Sequence, residues 1–103
     1  ILAKGDTLCY DTITGRYFKS DVDRIKKAEN ELNHILITGD YCSLNEFYDM
    51  LDIPATEMGT AVGWNVKDGL VEIYFSAQIA DNGQPCVVMN FDIQPTYNFD
   101  SMR

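Results

Sequence analysis

The feature that most constrains the fold of this chain is an apolar stripe at helical spacing in its first half. Six residues form the stripe: Val22, Ile25, Ala28, Leu32, Ile35 and Leu36. They predict a helix over residues 21–37. It begins after Ser20, which has Asp23 three residues later as an acidic variant of the capping box, and it ends at Thr38-Gly39. A helix with one apolar face needs a second layer to cover that face, so the rest of the chain has to supply one.

Alternating apolar and polar residues near both ends of the chain predict that this second layer is a β-sheet. Leu8-Cys9-Tyr10 and Arg16-Tyr17-Phe18 flank the turn-forming residues 11–15. Residues 71–76 and 87–93 alternate in the same way, with Asp81-Asn82-Gly83 between them. Each pair of runs predicts an antiparallel hairpin, because Asp, Asn and Gly adopt the backbone conformations that tight turns require.

A second, shorter helix is predicted over residues 44–52. Ser43 and Glu46 have the spacing of a capping box, and an apolar stripe follows them: Leu44, Phe47, Tyr48 and Leu51. The helix is expected to end before Pro54, because a proline disfavours the α conformation in the residue that precedes it. The connection over 55–69 contains three glycines, and Trp64 is the expected structural anchor that holds this connection to the core.

The predicted order of elements is ββααββ. This order indicates an α+β fold in which two helices pack on one face of a small antiparallel sheet. A chain of 103 residues suffices for one globular domain, so we expect residues 1–103 to form a single domain with a core over about 8–95 and a tail over 96–103.

The charge of the chain limits its possible partners. Sixteen acidic and eight basic residues give a formal net charge of -8 and a pI of about 4.3. Such a charge disfavours direct binding to the nucleic-acid backbone or to an anionic membrane surface. No apolar run approaches the roughly 18–20 residues that span a bilayer, so we expect a soluble cytoplasmic domain with no membrane contact of its own.

Three cysteines, Cys9, Cys42 and Cys86, lie far apart in the sequence. An odd number without a CxxC pair is typical of reduced thiols in a cytosolic protein, where they act as small apolar residues. A bridge between Cys9 and Cys86 is the alternative, because both lie in strand-like runs.

Catalytic and metal-binding signatures are weak. His34 is the one histidine, and it lies opposite the apolar stripe of the first helix, where Lys27 and Glu31 are ordinary surface neighbours. A catalytic pair of His34 and Glu31 is the alternative to this solvated face. One histidine and three scattered cysteines do not make a zinc site, and residues 81–83 lack the further ligands of a calcium loop. We therefore predict no catalytic residues, no metal and no cofactor, and hence a protein that is not an enzyme.

The surface of the second helix suggests a binding role instead. Its outward residues are acidic, with Asp40 before the helix and Glu57 after it, and the six tyrosines exceed what a small core can bury. The residues predicted to bind a partner are Tyr41, Glu46, Tyr48, Asp49, Asp52 and Glu57. A solubilising acidic face is the simpler interpretation of the same charges.

Four segments carry a resemblance to a known family. They are residues 10–18, Ala28–Asn33, Ser43–Tyr48 and Gly63-Trp64. Together they resemble an uncharacterised family encoded by bacteriophages and prophages of Gram-positive gut bacteria, over roughly residues 8–96. Members often carry hydrophobic segments upstream, which implies a longer chain and a possible tether to the membrane. The chain departs from the family at Glu72, Tyr74 and Ala77, where members tend to have Trp, Asp and His.

These observations lead to an expected function. We expect a phage-encoded accessory domain that works by protein–protein binding, in its most concrete version an acidic inhibitor of a host factor such as a defence nuclease. Charge complementarity with a basic surface would speed association and disfavour wrong partners. The alternatives are a virion or assembly module that joins other copies through strand edges or aromatic residues, and a small cell-wall or glycoside hydrolase.

Overall fold

The computed structural model describes residues 7–100, so residues 1–6 and residues 101–103 of the expected tail lie outside the described range. The strands within that range are β1 Thr7–Asp11, β2 Arg16–Ser20, β3 Tyr41–Ser43, β4 Gly63–Asn65, β5 Ile73–Ile79 and β6 Pro85–Phe91. The helices are α1 Val22–Gly39, α2 Leu44–Met50 and α3 Glu57–Ala61, and a 3-10 turn covers Val66–Asp68.

The α+β class is confirmed, but the sheet is not purely antiparallel. Both predicted hairpins form, with β1 antiparallel to β2 and β5 antiparallel to β6. The two hairpins join through β1 and β6, which run parallel with Cys9 opposite Val87, and the strand order is β2-β1-β6-β5. The expectation of an antiparallel sheet was wrong at this central pair, because turn residues specify pairing only within a hairpin.

The first helix forms where the apolar stripe predicts it, but other residues cap its ends. Asp21 rather than Ser20 is the N-cap, and its side chain accepts a hydrogen bond from the Arg24 N–H at 2.8 Å. Asp40 rather than Gly39 takes the left-handed conformation after the helix, with φ of 75°. The Asp40 N–H donates to the Leu36 carbonyl at 3.0 Å, which closes the last turn.

The second helix has the predicted capping box. The Ser43 hydroxyl accepts from the Glu46 N–H at 3.2 Å, and the Glu46 carboxylate accepts from the Ser43 N–H at 3.3 Å. Helix α2 ends at Met50, two residues before the predicted end, and Asp52 then adopts a left-handed backbone with φ of 58°.

The connection over 55–69 has more structure than its glycines suggest. It contains α3 and β4, and β4 pairs antiparallel with β3 to make a second, two-stranded sheet. The expected ββααββ order is therefore interrupted by β3 before α2, and by α3, β4 and the 3-10 turn after it. Strands of three residues and a helix of five carry too little periodicity to be recognised in a sequence.

One side of the four-stranded sheet and the helices share the main core. Buried side chains from α1, α2, β4 and the helix-facing side of the sheet meet there, including Leu32, Phe47, Trp64 and Met89. A smaller cluster of Ala80, Cys86 and Val88 lies on the other side of the sheet. Cys9 belongs to the main core and Cys86 to the smaller cluster, and both are free thiols, so the alternative of a disulfide between them does not form.

The segment after Pro95, which the sequence predicts to be a tail, contacts the core as far as it is described. Thr96 and Gly63 exchange two backbone hydrogen bonds, at 2.8 and 3.1 Å. Phe99 is buried beside Tyr41, and its carbonyl accepts from the buried Asn65 amide at 2.7 Å. Burial of one aromatic ring thus attaches residues 96–99 to the small sheet.

Candidate functional site

The last residue of β1 is a buried carboxylate, Asp11, whose side chain is held by four hydrogen bonds at the β1–β2 turn. Asp11 accepts hydrogen bonds from the N–H groups of Ile13 and Thr14, both at 3.2 Å, and from the Thr14 hydroxyl at 2.6 Å. The hydroxyl of Tyr48 on α2 donates a fourth. A buried charge is tolerated when it is hydrogen-bonded in this way, so the turn and α2 are joined by one carboxylate.

Arg16 completes this polar cluster. Its Nε donates to the Thr14 hydroxyl at 3.0 Å, and its Nη1 donates to the Pro54 carbonyl at 2.9 Å. The guanidinium lies 5.1 Å from the centre of the Tyr48 ring, within the range of a cation–π contact. Arg16 thereby connects the first hairpin to the chain that follows α2.

Tyr48 is completely buried, which corrects its predicted role in partner binding. Burial, followed by the hydrogen bond to Asp11, raises the pKa of the Tyr48 hydroxyl above its ordinary value of 10.0. The helical stripe places Tyr48 beside Phe47, and the β1–β2 turn covers its polar end. Its function in the folded protein is to satisfy Asp11 and fill the core.

The segment that carries the most specific part of the family resemblance, Ser43–Tyr48, is used throughout for folding. Ser43 and Glu46 cap α2, and Leu44 is buried. The Asn45 amide donates to the Thr56 carbonyl at 2.8 Å and accepts from the Thr56 N–H at 2.9 Å, which holds α3 against α2. The ring of Phe47 packs between those of other core aromatics. These contacts explain the motif without a catalytic role.

The Gly63-Trp64 pair is likewise structural. A Cβ at Gly63 would collide with the Cys42 carbonyl oxygen and lie 2.8 Å from the Phe99 ring, so only glycine fits there. Trp64 is buried, stacks on Phe91 with ring centres 5.8 Å apart, and donates its indole N–H to the Ile93 carbonyl at 2.7 Å. Trp64 therefore occupies the position that an anchor for residues 55–69 requires.

The predicted acidic surface is exposed, but two of its carboxylates have intramolecular partners. We call Glu46, Asp49, Asp52 and Glu57 the acidic ridge, and all four are exposed. Asp52 forms an ion pair with Arg24 of α1, and Glu46 caps α2. The sequence showed no compensating lysine near the ridge, and this arginine is supplied by a different helix. Tyr41, also predicted to bind, is 40% exposed.

Charge is unevenly distributed along the chain. Residues 28–66 contain seven carboxylates and no Lys or Arg: Glu29, Glu31, Asp40, Glu46, Asp49, Asp52 and Glu57. Six of these are exposed, and Glu29 is half-buried. Outside the β1–β2 hairpin and the start of α1, Lys67 is the one Lys or Arg among the described residues. Four of the seven, the acidic ridge, lie on α2, on α3 or between them, so this side of the molecule is net negative although Arg24 pairs with Asp52.

The groups that could carry chemistry are scattered. His34 is exposed on α1, as predicted. Among residues 7–100 no three His, Cys, Asp or Glu side chains come close enough to hold a metal ion. All three cysteines are buried, and burial raises the pKa of the Cys9 thiol to about 11 and that of Cys42 further. Thiols with such raised pKa values are poor nucleophiles.

Two polar side chains of α1, Asn33 and Glu29, make contacts that were not predicted from the sequence. The Asn33 amide donates to the Val71 carbonyl at 2.9 Å and accepts from the Val71 N–H at 2.8 Å. The Glu29 carboxylate accepts from the Ile73 N–H at 2.6 Å. In the sequence these two side chains appear only as polar residues four positions apart beside the apolar stripe of α1. Such a pair is common on any helix and does not indicate a contact with a distant strand.

The fold and these contacts define the chain as an α+β domain with a mixed four-stranded sheet, a negatively charged helical side and a structural role for its motifs. Within the described residues no helix has the length and hydropathy needed to cross a membrane. The sequence pattern of a family of unknown function, DUF6353, matches residues 1–100, and the chain belongs to that family. No curated protein and no solved structure matches the chain.

Proposed function

We propose that this domain works by binding another protein through its negatively charged α2–α3 side. The observation that carries the proposal is the separation of charge, because residues 28–66 have seven carboxylates and no basic residue. In the acidic ridge, Asp49 and Glu57 are exposed and held by no ion pair among the described residues. Such carboxylates are available to lysine or arginine side chains on a partner, where complementary charge raises the association rate.

A more specific version of the proposal concerns the partner. In this version the domain is a phage or prophage accessory protein that occupies the basic surface of a host factor, such as the nucleic-acid channel of a defence nuclease. It is supported by the family resemblance of the sequence and by the net charge of -8, which imitates the charge of a phosphate backbone. Tyr41, at the start of the strand that leads into α2, would be the aromatic contact beside the ridge.

The experiment uses two variants with the same change of charge. The test variant combines Asp49→Asn with Glu57→Gln on the ridge, and the control combines Asp68→Asn with Asp100→Asn, two exposed carboxylates elsewhere. Tagged domain is exposed to lysate of a Gram-positive gut bacterium, and the protein that it captures is purified. The affinity of each variant for that protein is then measured in about 0.05 M and 0.5 M salt, because the Debye length falls over this range.

The proposal predicts that binding weakens at high salt and that the ridge variant binds more weakly than the control variant. Equal loss of affinity in both variants would show that only net charge matters and would remove the ridge from the proposal. Affinity that does not respond to salt would contradict an electrostatic interface altogether.

A second candidate function, a module that assembles with other copies, is favoured by a different observation. Strand β5 lies at an edge of the sheet and is mostly exposed, with Tyr74 at 54% and Ile79 at 69% of their full exposure. Exposed strand edges are sites at which chains join one another. This edge is independent of the acidic ridge.

A further inference from the structure

Strand β5 presents an uncharged, uncovered edge. Its seven residues, Ile73 to Ile79, include no charged residue, proline or glycine. In the strand order β5 is an end strand whose one neighbour in the sheet is β6, and residues 76–79 of β5 are exposed. The opposite edge of the sheet, β2, carries Arg16 and Lys19. Charged residues, lysine above all, protect sheet edges from pairing with other chains, and β5 lacks this protection.

The hydrogen bonds at both ends of β5 establish which backbone groups face outward. The Asp92 N–H donates to the Glu72 carbonyl at 3.0 Å, and the Ala80 N–H donates to the Gln84 carbonyl at 2.8 Å. Even-numbered residues of β5 therefore direct their backbone groups toward β6. In an antiparallel pair these directions alternate, so Phe75, Ala77 and Ile79 direct theirs away from the sheet.

Helix α1 occupies one outward position of the same edge. The Ile73 N–H also points away from β6, and it donates to the Glu29 carboxylate at 2.6 Å. This contact leaves residues 75–79 as the part of the edge that another strand can reach. Asp81 lies two residues after the last residue of the strand and places a negative charge near its other end.

We propose that two copies of this chain pair through β5, antiparallel and symmetric about Ala77. In this register Ala77 lies opposite Ala77 of the second copy, and Phe75 lies opposite Ile79. The residues with outward backbone groups, Phe75, Ala77 and Ile79, then face one another, and each of these pairs exchanges two backbone hydrogen bonds. The four-stranded sheet of each copy continues into that of the other, giving eight strands across the dimer.

The side chains of β5 are complementary to themselves in this register. Phe75 and Ile79 are on the same face, so the exposed Ile79 of one copy packs beside Phe75 of the other. On the other face Ser76 lies beside Gln78, and both are uncharged and exposed. A symmetric dimer requires such self-complementarity, because one patch has to fit its own rotated copy. The short pairing predicts a weak dimer, smaller in area than the roughly 1,200–2,000 Å² of standard interfaces.

Electrostatics separates this dimer from the proposed partner binding. Each copy has a net charge of -8, and the register places Asp81 of one copy at the level of Ile73 in the other, where Glu29 lies. Like charges repel, and salt screens that repulsion. The β5 dimer therefore strengthens with salt, whereas binding through the acidic ridge weakens with salt.

The first experiment is sedimentation velocity over a range of concentrations up to about 0.5 mM, in low and high salt. Ala77→Pro removes an outward N–H that β6 does not use, a position at which edge strands tolerate proline. Ile79→Lys adds a charge to the edge, and Ile37→Lys is its matched control, because Ile37 is 63% exposed on α1. We expect wild type and Ile37→Lys to form dimers that increase with salt, and both β5 variants to remain monomeric.

The second experiment tests the register itself. Ala77→Cys places two thiols opposite each other on the symmetry axis, where paired Cα atoms about 5.5 Å apart permit a disulfide. Ile37→Cys is the control, and the native cysteines are buried. Mild oxidation should cross-link Ala77→Cys into dimers and leave Ile37→Cys monomeric.

Three results would overturn the proposal. These are a wild-type chain that stays monomeric at every concentration and salt, β5 variants that dimerise as wild type does, or equal cross-linking of the two cysteine variants. Pairing of β5 with an extended segment of another protein would leave the chain alone monomeric, and it therefore counts against the dimer.

Discussion

Replacing Tyr48 with phenylalanine isolates the contribution of the hydrogen bond to the buried carboxylate of Asp11. The change keeps the ring, its contact with Phe47 and its position under the Arg16 guanidinium. It removes one of the four donors that surround Asp11 and leaves the two N–H groups and the Thr14 hydroxyl in place. The loss is therefore the hydrogen bond to a buried charge, together with a long contact of 3.5 Å between the hydroxyls of Tyr48 and Thr14.

The magnitude follows from the hydrogen bond to Asp11, which is the shorter contact and the one to a charged group. Hydrogen bonds to charged groups contribute about 1.5–3 kcal/mol, so Tyr48→Phe should lower the free energy of unfolding by about 2 kcal/mol. For a chain of this size the corresponding fall in Tm is about 8–16 °C. Tyr17→Phe is the matched control, because Tyr17 is 43% exposed, and it should change the stability by less than about 0.5 kcal/mol.

Urea unfolding followed by tryptophan fluorescence measures this difference, because Trp64 is the one tryptophan and is buried in the core. The two variants should have the same dependence of free energy on urea concentration as wild type, so that the midpoint alone reports the change. Equal stability of Tyr48→Phe and Tyr17→Phe would refute the reasoning that Asp11 depends on Tyr48.

Two further predictions concern the core. Gly63→Ala should lower the free energy of unfolding by more than about 2 kcal/mol or prevent folding, because its Cβ meets the Cys42 carbonyl. Gly39→Ala should be neutral or stabilising, because its Cβ meets nothing within 4 Å. The urea midpoints of the two variants test this difference. Stability should fall as the pH rises above about 9, because Cys9, Cys42 and Tyr48 all have raised pKa values in the folded state and release their protons more readily when unfolded. A free energy of unfolding that rises between pH 9 and 11 would contradict this prediction of pH dependence. The same holds if the thiols of the folded protein react with a thiol reagent at pH 8 as fast as they do in denaturant.

The family motifs show how far a sequence leads toward a site. Ser43 and Glu46 were recognised as a capping box because both partners lie within one helical turn. Tyr48 was predicted to meet a partner, and it is buried because the end of β1, 37 residues earlier, supplies Asp11 as its acceptor. Asp52 was predicted to bind a partner, and it forms an ion pair with Arg24 of α1. A pattern in the sequence identifies a polar side chain, but not the distant residue that satisfies it.

Local interactions within the sequence determined α1, α2 and both hairpins, since periodic apolar residues, caps and turn residues act over a few neighbouring positions. Only the tertiary structure decided the parallel pairing of β1 with β6, the placement of Trp64 between Phe47 and Phe91, and the uncovered edge of β5. The physical reason is distance along the chain, because β1 and β6 are separated by more than 70 residues and their pairing depends on how the whole core packs.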